Sequence, residues 1–186
     1  MKFNGITKRE EGKFITRYDI SYTTEDGIDK NYEIISRDKN LKTEADLKNP
    51  KQDGVVIIVT DEKDEKILLN KEFRMAVDRA VYNFPAGLID PGEDAKTAAK
   101  RELKEETGLN LISVKTQLFD SYSAIGFSNE TNAVIIGTAA GEFMESSSTL
   151  EEIDAKWYTK AEVRKLLENN HFAARTQAYC YLWSKE

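Results

Sequence analysis

Residues Gly87 to Leu109 read GLIDPGEDAKTAAKRELKEETGL. This stretch predicts a helix over 93–107, because acidic residues at its start complement the helix dipole and Gly108 follows as the usual stop residue. Three apolar residues at helical spacing predict the face that packs on a core: Ala95, Ala99 and Leu103.

The last turn of this helix carries an acidic face. Glu102, Glu105 and Glu106 stand at positions i, i+3 and i+4, so they point to one side. Like charges at this spacing, and anions at a helix C-terminus, each cost about 0.2–1 kcal/mol. Taken alone, the cluster favours a solvated charge run, because Glu-rich helices are common. A divalent cation would remove the conflict, since Mg²⁺ prefers oxygen ligands.

The whole stretch resembles the Nudix box at every defined position, and this favours the metal interpretation. The resemblance implies that Glu102, Glu105 and Glu106 bind Mg²⁺, for which Mn²⁺ can substitute, and that Glu105 and Glu106 serve catalysis. It implies that Glu93 is an accessory group beside the metal. Arg101 matches an arginine that orients a box glutamate, although a plain surface pair with Glu105 is the alternative. Gly87 and Gly108 are the structural glycines of the motif.

A longer resemblance, to the ADP-ribose pyrophosphatase branch of the family, covers most of the chain. It includes the run Asn83 to Ile89 and implies that the Ala86 carbonyl binds a metal. Arg74 matches an arginine that reaches the substrate diphosphate. Further matches imply that Phe14 and Tyr32 sandwich the base and that Arg37 binds substrate. The alternatives are that these two aromatics pack a dimer interface and that the two arginines are surface residues.

Two departures from the branch bear on the substrate. Asn83 stands where the branch usually has glutamate, and Ile125 stands where it often has proline. Both argue against a strict ADP-ribose specialist, and neither lies in the acidic helix.

Composition excludes several classes of protein. The 186 residues carry a net charge of −6, which does not suit a nucleic-acid partner. One cysteine, Cys180, excludes an intrachain disulfide, and the single His171 excludes a multi-histidine metal site. The start of the chain lacks the apolar segment of a signal peptide and no apolar run spans a membrane, so we expect a cytoplasmic protein.

The strand and helix pattern predicts an α+β, α-β-α sandwich of the Nudix type with a mixed central sheet. Residues 1–48 are predicted to form an N-terminal β region for dimerisation and part of the substrate site, and residues 49–186 the hydrolase domain. Strands are predicted within 13–37, at 54–60, near 67–69, and at 111–122, 131–139 and 153–158. Helices are predicted at 159–168 and 173–185. In the resembling branch the N-terminal strands exchange between subunits, which implies a homodimer.

The expected activity is hydrolysis of the diphosphate linkage of a small nucleotide-sugar substrate, with ADP-ribose giving AMP and ribose 5-phosphate. The general base is expected in the loop 141–152, with Glu151 and Glu152 as candidates, or it is a box glutamate. A broad pyrophosphatase acting on GDP-mannose or other nucleotide sugars is the nearest alternative. A triphosphate hydrolase fits the context less well, and a non-catalytic nucleotide-sensing module is the rival from another class.

Overall fold

The computed structural model describes residues 1–144 and 152–185. The chain divides into two compact units, Met1–Asp53 with Asp120–Asn132, and Gly54–Phe119 with Ala133–Glu186. The predicted division after residue 48 gave the segment 120–132 to the second part. The segment 120–132 lies in the first unit because its backbone forms hydrogen bonds with that unit. For example, the Ile35 N–H donates to the Phe127 carbonyl at 2.8 Å.

The first unit contains a three-stranded antiparallel sheet in the order β1-β2-β3. Its strands are β1 (Lys2–Glu11), β2 (Thr16–Thr23) and β3 (Asp29–Ser36), and a short helix α1 (Glu44–Leu47) follows. β2 and β3 were predicted, with the turn at Gly27, which has φ +82°. β1 was not predicted, because its sequence is mostly polar and most of its residues are exposed. A small core fills one side of this unit: Tyr18, Ile20, Ile34 and Leu41.

The second unit is built on a seven-stranded sheet with the path β10-β5-β4-β9-β8, in which β6 pairs with β5 and β7 with β4. The strands are β4 (Gly54–Thr60), β5 (Lys66–Arg74), β6 (Arg79–Asn83), β7 (Ala86–Leu88), β8 (Asn110–Tyr122), β9 (Thr131–Ala140) and β10 (Ile153–Thr159). Neither of the short strands β6 and β7 was predicted. They form because β5 and β4 offer backbone hydrogen-bond partners to β6 and β7, respectively. Pro85, which has no N–H to donate, lies between β6 and β7 and interrupts neither strand.

Helices cover both faces of this sheet, which confirms the predicted sandwich. Alternate residues of β4 enter two different cores, as the period of a strand requires. Val55, Ile57 and Val59 pack with α2 (Ala95–Thr107). Val56 and Ile58 share a core with residues of α3 (Lys160–Asn169) and α4 (Ala174–Trp183). In the described part of the chain, none of the helices has the length and apolar character needed to cross a bilayer.

The ends of α2 and α3 follow their sequence signals. α2 begins two residues later than predicted, because the Asp94 side chain accepts the Thr97 N–H at 2.7 Å and caps the helix. It ends at Gly108, whose φ of +80° suits glycine. α3 begins with a capping box formed by Thr159 and Glu162.

Candidate active site

The three helix glutamates lie at the C-terminal end of α2, as predicted, but in different surroundings. The Glu102 side chain is 14% exposed and that of Glu105 is 49% exposed. Glu106 is buried, at 7% exposure, beside the apolar residues of the helix. The acidic face therefore extends from the solvent into the edge of the core.

Arg101 is the centre of this end of the unit. Its Nε and Nη2 donate to the two carboxylate oxygens of Glu93 at 3.0 and 2.8 Å, a bidentate pair. Its Nη1 donates to Glu102 at 2.7 Å and to Glu105 at 3.3 Å. Nη2 also donates to the Leu88 carbonyl at 2.9 Å, so all five donors of the guanidinium are used. A plain surface pair with Glu105 would account for only one of these bonds, and the role of Arg101 in orienting a box glutamate stays a prediction.

These contacts shift the pKa values of the arginine and of its first partner. Hydrogen bonding from Arg101 is the main cause that lowers the pKa of the Glu93 carboxyl below its ordinary value. Hydrogen bonding to Glu93, followed by that to Glu102, raises the pKa of Arg101, although partial burial opposes the rise. Glu93 thus remains ionised and ties the loop before α2 to the helix.

Gly87 makes room for Glu102. A Cβ atom at residue 87 would lie 2.0 Å from the Glu102 carboxyl carbon and 2.2 and 2.3 Å from its oxygens. Gly87 pairs with Val55 in the sheet, so its backbone cannot move away easily. The glycine is needed here for close approach of a carboxylate to the strand, which a side chain would block.

Glu106 has a buried polar partner that the sequence did not predict as part of the site. Asn70, fully buried in β5, donates its amide N–H to the Glu106 carboxylate at 2.7 Å. Among the described residues, the amide oxygen Oδ1 of Asn70 has no hydrogen-bond partner. An unsatisfied buried acceptor costs about 1–3 kcal/mol, so an additional donor or cation at this oxygen would be favourable.

The donor chemistry of this region fits a divalent cation. Glu102, Glu105, Glu106 and the Asn70 oxygen are hard oxygen donors of the type that Mg²⁺ and Mn²⁺ accept. Within residues 1–144 and 152–185, however, no three His, Cys, Asp or Glu side chains lie close enough together to hold a metal ion. Arg101 and Asn70 hold the glutamates instead. The predicted ligands, including the Ala86 carbonyl on β7 opposite Val56, stay predictions.

Arg74, at the end of β5, is held by a chain of buried polar groups. Its Nε donates to Glu72 at 2.9 Å, and the Asn83 amide donates to the same oxygen, Oε1, at 3.0 Å. The Thr176 hydroxyl of α4 donates to Asn83 Oδ1 at 2.8 Å and accepts the Phe84 N–H at 3.3 Å. Asn83, which departs from the branch pattern, is thus fully engaged.

The other predicted substrate residues belong to the first unit. Phe14 is 68% exposed between β1 and β2, with Lys13 Nζ 5.0 Å from its ring centre. Tyr32 on β3 is half exposed, and its hydroxyl donates to the Gly126 carbonyl. Arg37 donates through Nε to Glu130 at 2.6 Å. Tyr32 and Ile125 line one cleft of about 590 Å³ together with Ile20, Tyr22, Ile34 and Tyr122.

Only one of the two candidate bases can be located. Glu152 is exposed just before β10, and its carbonyl accepts the Phe73 N–H at 3.2 Å, so it lies beside the end of β5. Glu151 lies outside the described residues.

Three residues of this region were missed: Asn70, Glu72 and Thr176. Two had a readable signal. Glu72 stands two residues before Arg74 in a strand, so both side chains point to the same face. Asn70 is a polar residue at the end of the apolar run Ile67 to Leu69, where a buried amide needs a partner. Nothing in the local sequence connects Thr176 to Asn83, which is distant along the chain.

Known proteins resemble this chain in sequence. A family model described as the NUDIX domain matches residues 50–179. The ADP-ribose pyrophosphatase of Bacillus subtilis (strain 168) is 31% identical over 135 residues, which cover 70% of this chain and 71% of that protein. The ADP-ribose pyrophosphatase of Saccharomyces cerevisiae is 44% identical over 90 residues, which cover 45% of this chain and 37% of that protein.

Two further proteins extend the comparison. The ADP compounds hydrolase NudE of Escherichia coli (strain K12) is 31% identical over 113 residues, which cover 59% of this chain and 58% of that protein. A crystal structure of an ADP compounds hydrolase superposes with a TM-score of 0.73 at 20% identity, over 100% of this chain and 93% of that one. At this identity the structural match supports the fold alone.

Proposed function

Because the chain belongs to the Nudix hydrolase family, we propose that it hydrolyses the diphosphate linkage of a nucleoside diphosphate sugar. The observation that carries the proposal is the Arg101 cluster, which gathers Glu93, Glu102 and Glu105 at one end of α2 behind Gly87. We propose ADP-ribose as the principal substrate, cleaved to AMP and ribose 5-phosphate. The resemblance to two ADP-ribose pyrophosphatases supports this choice.

Divalent metal ions, Mg²⁺ or Mn²⁺, would be held by Glu102, Glu105, Glu106 and the Ala86 carbonyl. When bound, such an ion neutralises charge on phosphoryl oxygens and activates water for in-line attack on phosphorus. The chain's own contribution is to position these oxygens. Arg101 would release Glu102 or Glu105 toward the ion while keeping its bidentate bond to Glu93, and Asn70 would fix the orientation of Glu106.

Arg74 would bind the substrate diphosphate. Only its Nε has a hydrogen-bond partner among the described residues, and the side chain is 46% exposed, so its terminal N–H groups can reach an anion. Phe14 and Tyr32 would stack on the base, which favours a nucleotide over a simple diphosphate. Arg37 would add a second positive charge for substrate binding once its ion pair with Glu130 is broken.

The general base would be Glu152 or Glu151, with a box glutamate as the alternative. Glu152 supports the first choice because its backbone bonds to Phe73, next to the arginine that would bind the diphosphate. Comparing the pH–rate profiles of Glu151→Gln and Glu152→Gln separates these possibilities, because only loss of the base removes the acidic limb.

The protein would act as a homodimer through its N-terminal strands. Three large apolar or aromatic side chains there are exposed in the single chain, by 68%, 53% and 48%: Phe14, Ile28 and Tyr32. A symmetric partner would cover them. Light scattering across a range of concentrations measures this directly, and a monomer at every concentration would contradict it.

The deciding experiment is a substrate panel with product identification. Purified protein with Mg²⁺ is incubated with ADP-ribose, GDP-mannose and dATP, and kcat/KM is measured for each. We expect ADP-ribose to be the best substrate, activity to vanish with a chelator, and Mg²⁺ or Mn²⁺ to restore it. A higher kcat/KM for GDP-mannose would make a nucleotide sugar other than ADP-ribose the principal substrate. A higher kcat/KM for dATP would contradict the assignment to the ADP-ribose pyrophosphatase branch. Binding of all three without turnover would favour a sensing module.

A further inference from the structure

A buried carboxylate from β5 contacts the side chain of Asn83 on the neighbouring strand β6. Asn83 on β6 lies directly opposite Asn70 on β5, and Glu72 is the next residue of β5 on that side. The Glu72 side chain reaches back across the strand pair, where one of its oxygens accepts the Asn83 amide. Residues 72 and 83 are 7% and 3% exposed, so the contact is enclosed.

The buried side chain of Glu72 has a charged partner in Arg74. Burying a carboxylate without a partner is costly, while a charge-assisted bond to guanidinium offsets the cost. The same oxygen of Glu72 accepts both the Arg74 Nε–H and the Asn83 amide. The arginine is therefore attached by its inner nitrogen to a rigid part of the protein, and its two outer nitrogens project beyond the contact.

The attachment continues into the core. Asn83 cannot rotate freely, because its oxygen accepts the hydroxyl of the fully buried Thr176, which in turn accepts the backbone N–H of Phe84. Phe84 directly precedes the run Pro85 to Gly87 that leads to the acidic helix. The guanidinium of Arg74 and the start of that loop are thus linked through three consecutive hydrogen-bonded side chains.

We propose that Glu72 and Asn83 form a positioning pair that fixes the Arg74 guanidinium for binding an anionic substrate group. The part of this that concerns catalysis rests on the proposed function, in which Arg74 binds the diphosphate. The fixed orientation of Arg74 does not depend on it. A positioning residue of this kind acts on substrate binding more than on the chemical step.

The first test is a kinetic cycle on the full-length protein with ADP-ribose and Mg²⁺. Glu72→Gln keeps the shape but removes the charge, and we expect KM to rise about tenfold with little change in kcat. Glu72→Gln with Arg74→Ala should be no worse than Arg74→Ala alone, because the first residue acts through the second. The matched control is Glu65→Gln, an exposed glutamate just before β5, which should behave as wild type. Additive effects, or an unchanged KM for Glu72→Gln, would overturn the proposal.

The second test moves the carboxylate from residue 72 on β5 to residue 83 on β6. Asn83→Glu alone places two carboxylates in one enclosed site and should raise KM or lower the melting temperature. Combined with Glu72→Gln, it restores one carboxylate and one amide, and KM should return to within about threefold of wild type, as coupled neighbours show. A double variant as poor as the worse single variant would show that the two positions do not exchange roles.

The third test does not require turnover. The Arg74 Nε–H is observed by ¹⁵N–¹H NMR, and its hydrogen exchange should be slow in wild type and at least about fivefold faster in Glu72→Gln, because the bond to the carboxylate is weakened. Equal exchange in both proteins would overturn the proposal even if KM changes. Slow exchange in a protein that does not cleave ADP-ribose would refute the proposed function and leave the positioning pair intact.

If Glu72→Gln does not fold, substitutions of Thr176, which bonds to Asn83 from the opposite side, test the same arrangement. Thr176→Val removes the hydroxyl that orients Asn83, while Thr176→Ser keeps it. We expect faster Arg74 Nε–H exchange and a higher KM in the valine variant only. Equal behaviour of the valine and serine variants would contradict the proposal.

Discussion

Two arginines of the second unit, Arg101 and Arg74, are held by carboxylates in contrasting ways. Arg101 uses all five of its donors on protein acceptors, and its side chain is 26% exposed. Among the described residues Arg74 uses one, through Nε, and its side chain is 46% exposed. Since guanidinium cannot lose its proton at ordinary pH, the number of donors left over decides what else each residue can bind.

The difference separates an organising cation from a binding cation. Arg101 has no donor left for a substrate, but it crosslinks the loop before α2 to the last turns of that helix, where unpaired glutamates would repel each other. Within the part of the chain that the structure describes, Arg74 is bonded only through Nε, and its two terminal nitrogens suit a fork-shaped contact with phosphate. Loss of Arg101 should disturb the arrangement of the glutamates and so lower kcat and stability. Loss of Arg74 should weaken substrate binding and so raise KM.

The largest expected effect is that of Arg101→Lys. Lysine keeps the charge but cannot bond Glu93 through two nitrogens while also reaching Glu102 and the Leu88 carbonyl. We expect kcat to fall about 10²- to 10³-fold, as when a key electrostatic group is lost, together with a lower melting temperature. Steady-state kinetics and thermal unfolding of the same preparation check this. If Arg101→Lys costs no more than Arg74→Lys, the contrast between the two arginines is wrong.

Gly87→Ala should cost about 10²-fold in activity, again at the level of loss of a catalytic electrostatic group. The new Cβ would overlap the Glu102 carboxyl, 2.0 Å away, and push it from Arg101. In a Glu102→Ala background the same substitution should leave the melting temperature unchanged, because the clash is gone. Gly5→Ala is the control, since nothing lies within 4 Å of its Cβ position. Full activity of Gly87→Ala would show that Glu102 is not needed at this place.

The parts of this contrast that depend on local sequence could be predicted. Helix α2 follows from its apolar spacing and from Gly108, and Arg101 lies one turn before Glu105, so their contact follows from helix geometry. The apolar run of β4 is too short for a helix and predicts a buried strand, whose side chains alternate between two cores. The Nudix-box resemblance then identified the acidic face among many glutamates of the chain.

The parts that depend on distant partners could not be predicted. β7 exists because it pairs with β4, and its own three residues carry no strand signal. The orientation of Asn83 depends on Thr176, which belongs to the last helix. The burial of Glu106 and its bond to Asn70 on β5 require the packing of α2 on the sheet, which a helix-face argument does not give. The convergence of the three glutamates on a metal also stays a prediction, since Arg101 and Asn70 hold them among the described residues.

A smaller effect is expected for Arg74→Lys. A single point charge still attracts a diphosphate but loses the fork geometry, so KM for ADP-ribose should rise about tenfold while kcat and the melting temperature stay close to wild type. Its exposed side chain supports this separation, since surface substitutions rarely change stability by more than about 0.5 kcal/mol. A fall in kcat with unchanged KM would indicate that Arg74 acts in the chemical step.

The smallest effect concerns pH and the bond between Glu93 and Arg101. Hydrogen bonding from Arg101 lowers the pKa of Glu93 in the folded protein, so the stabilisation is complete above the ordinary glutamate pKa of about 4.3 and is lost as pH falls through the lowered value. The melting temperature of wild type should therefore exceed that of Glu93→Gln by a constant amount from neutral pH down to about pH 5, and the difference should shrink below about pH 4. Thermal unfolding of both proteins across this range measures it. In an Arg101→Lys background the difference should be reduced at every pH, because the bidentate partner is gone. A difference that grows as the solution becomes more acidic would mean that Glu93 is bound in its neutral form, and the organising role of Arg101 would then need another explanation.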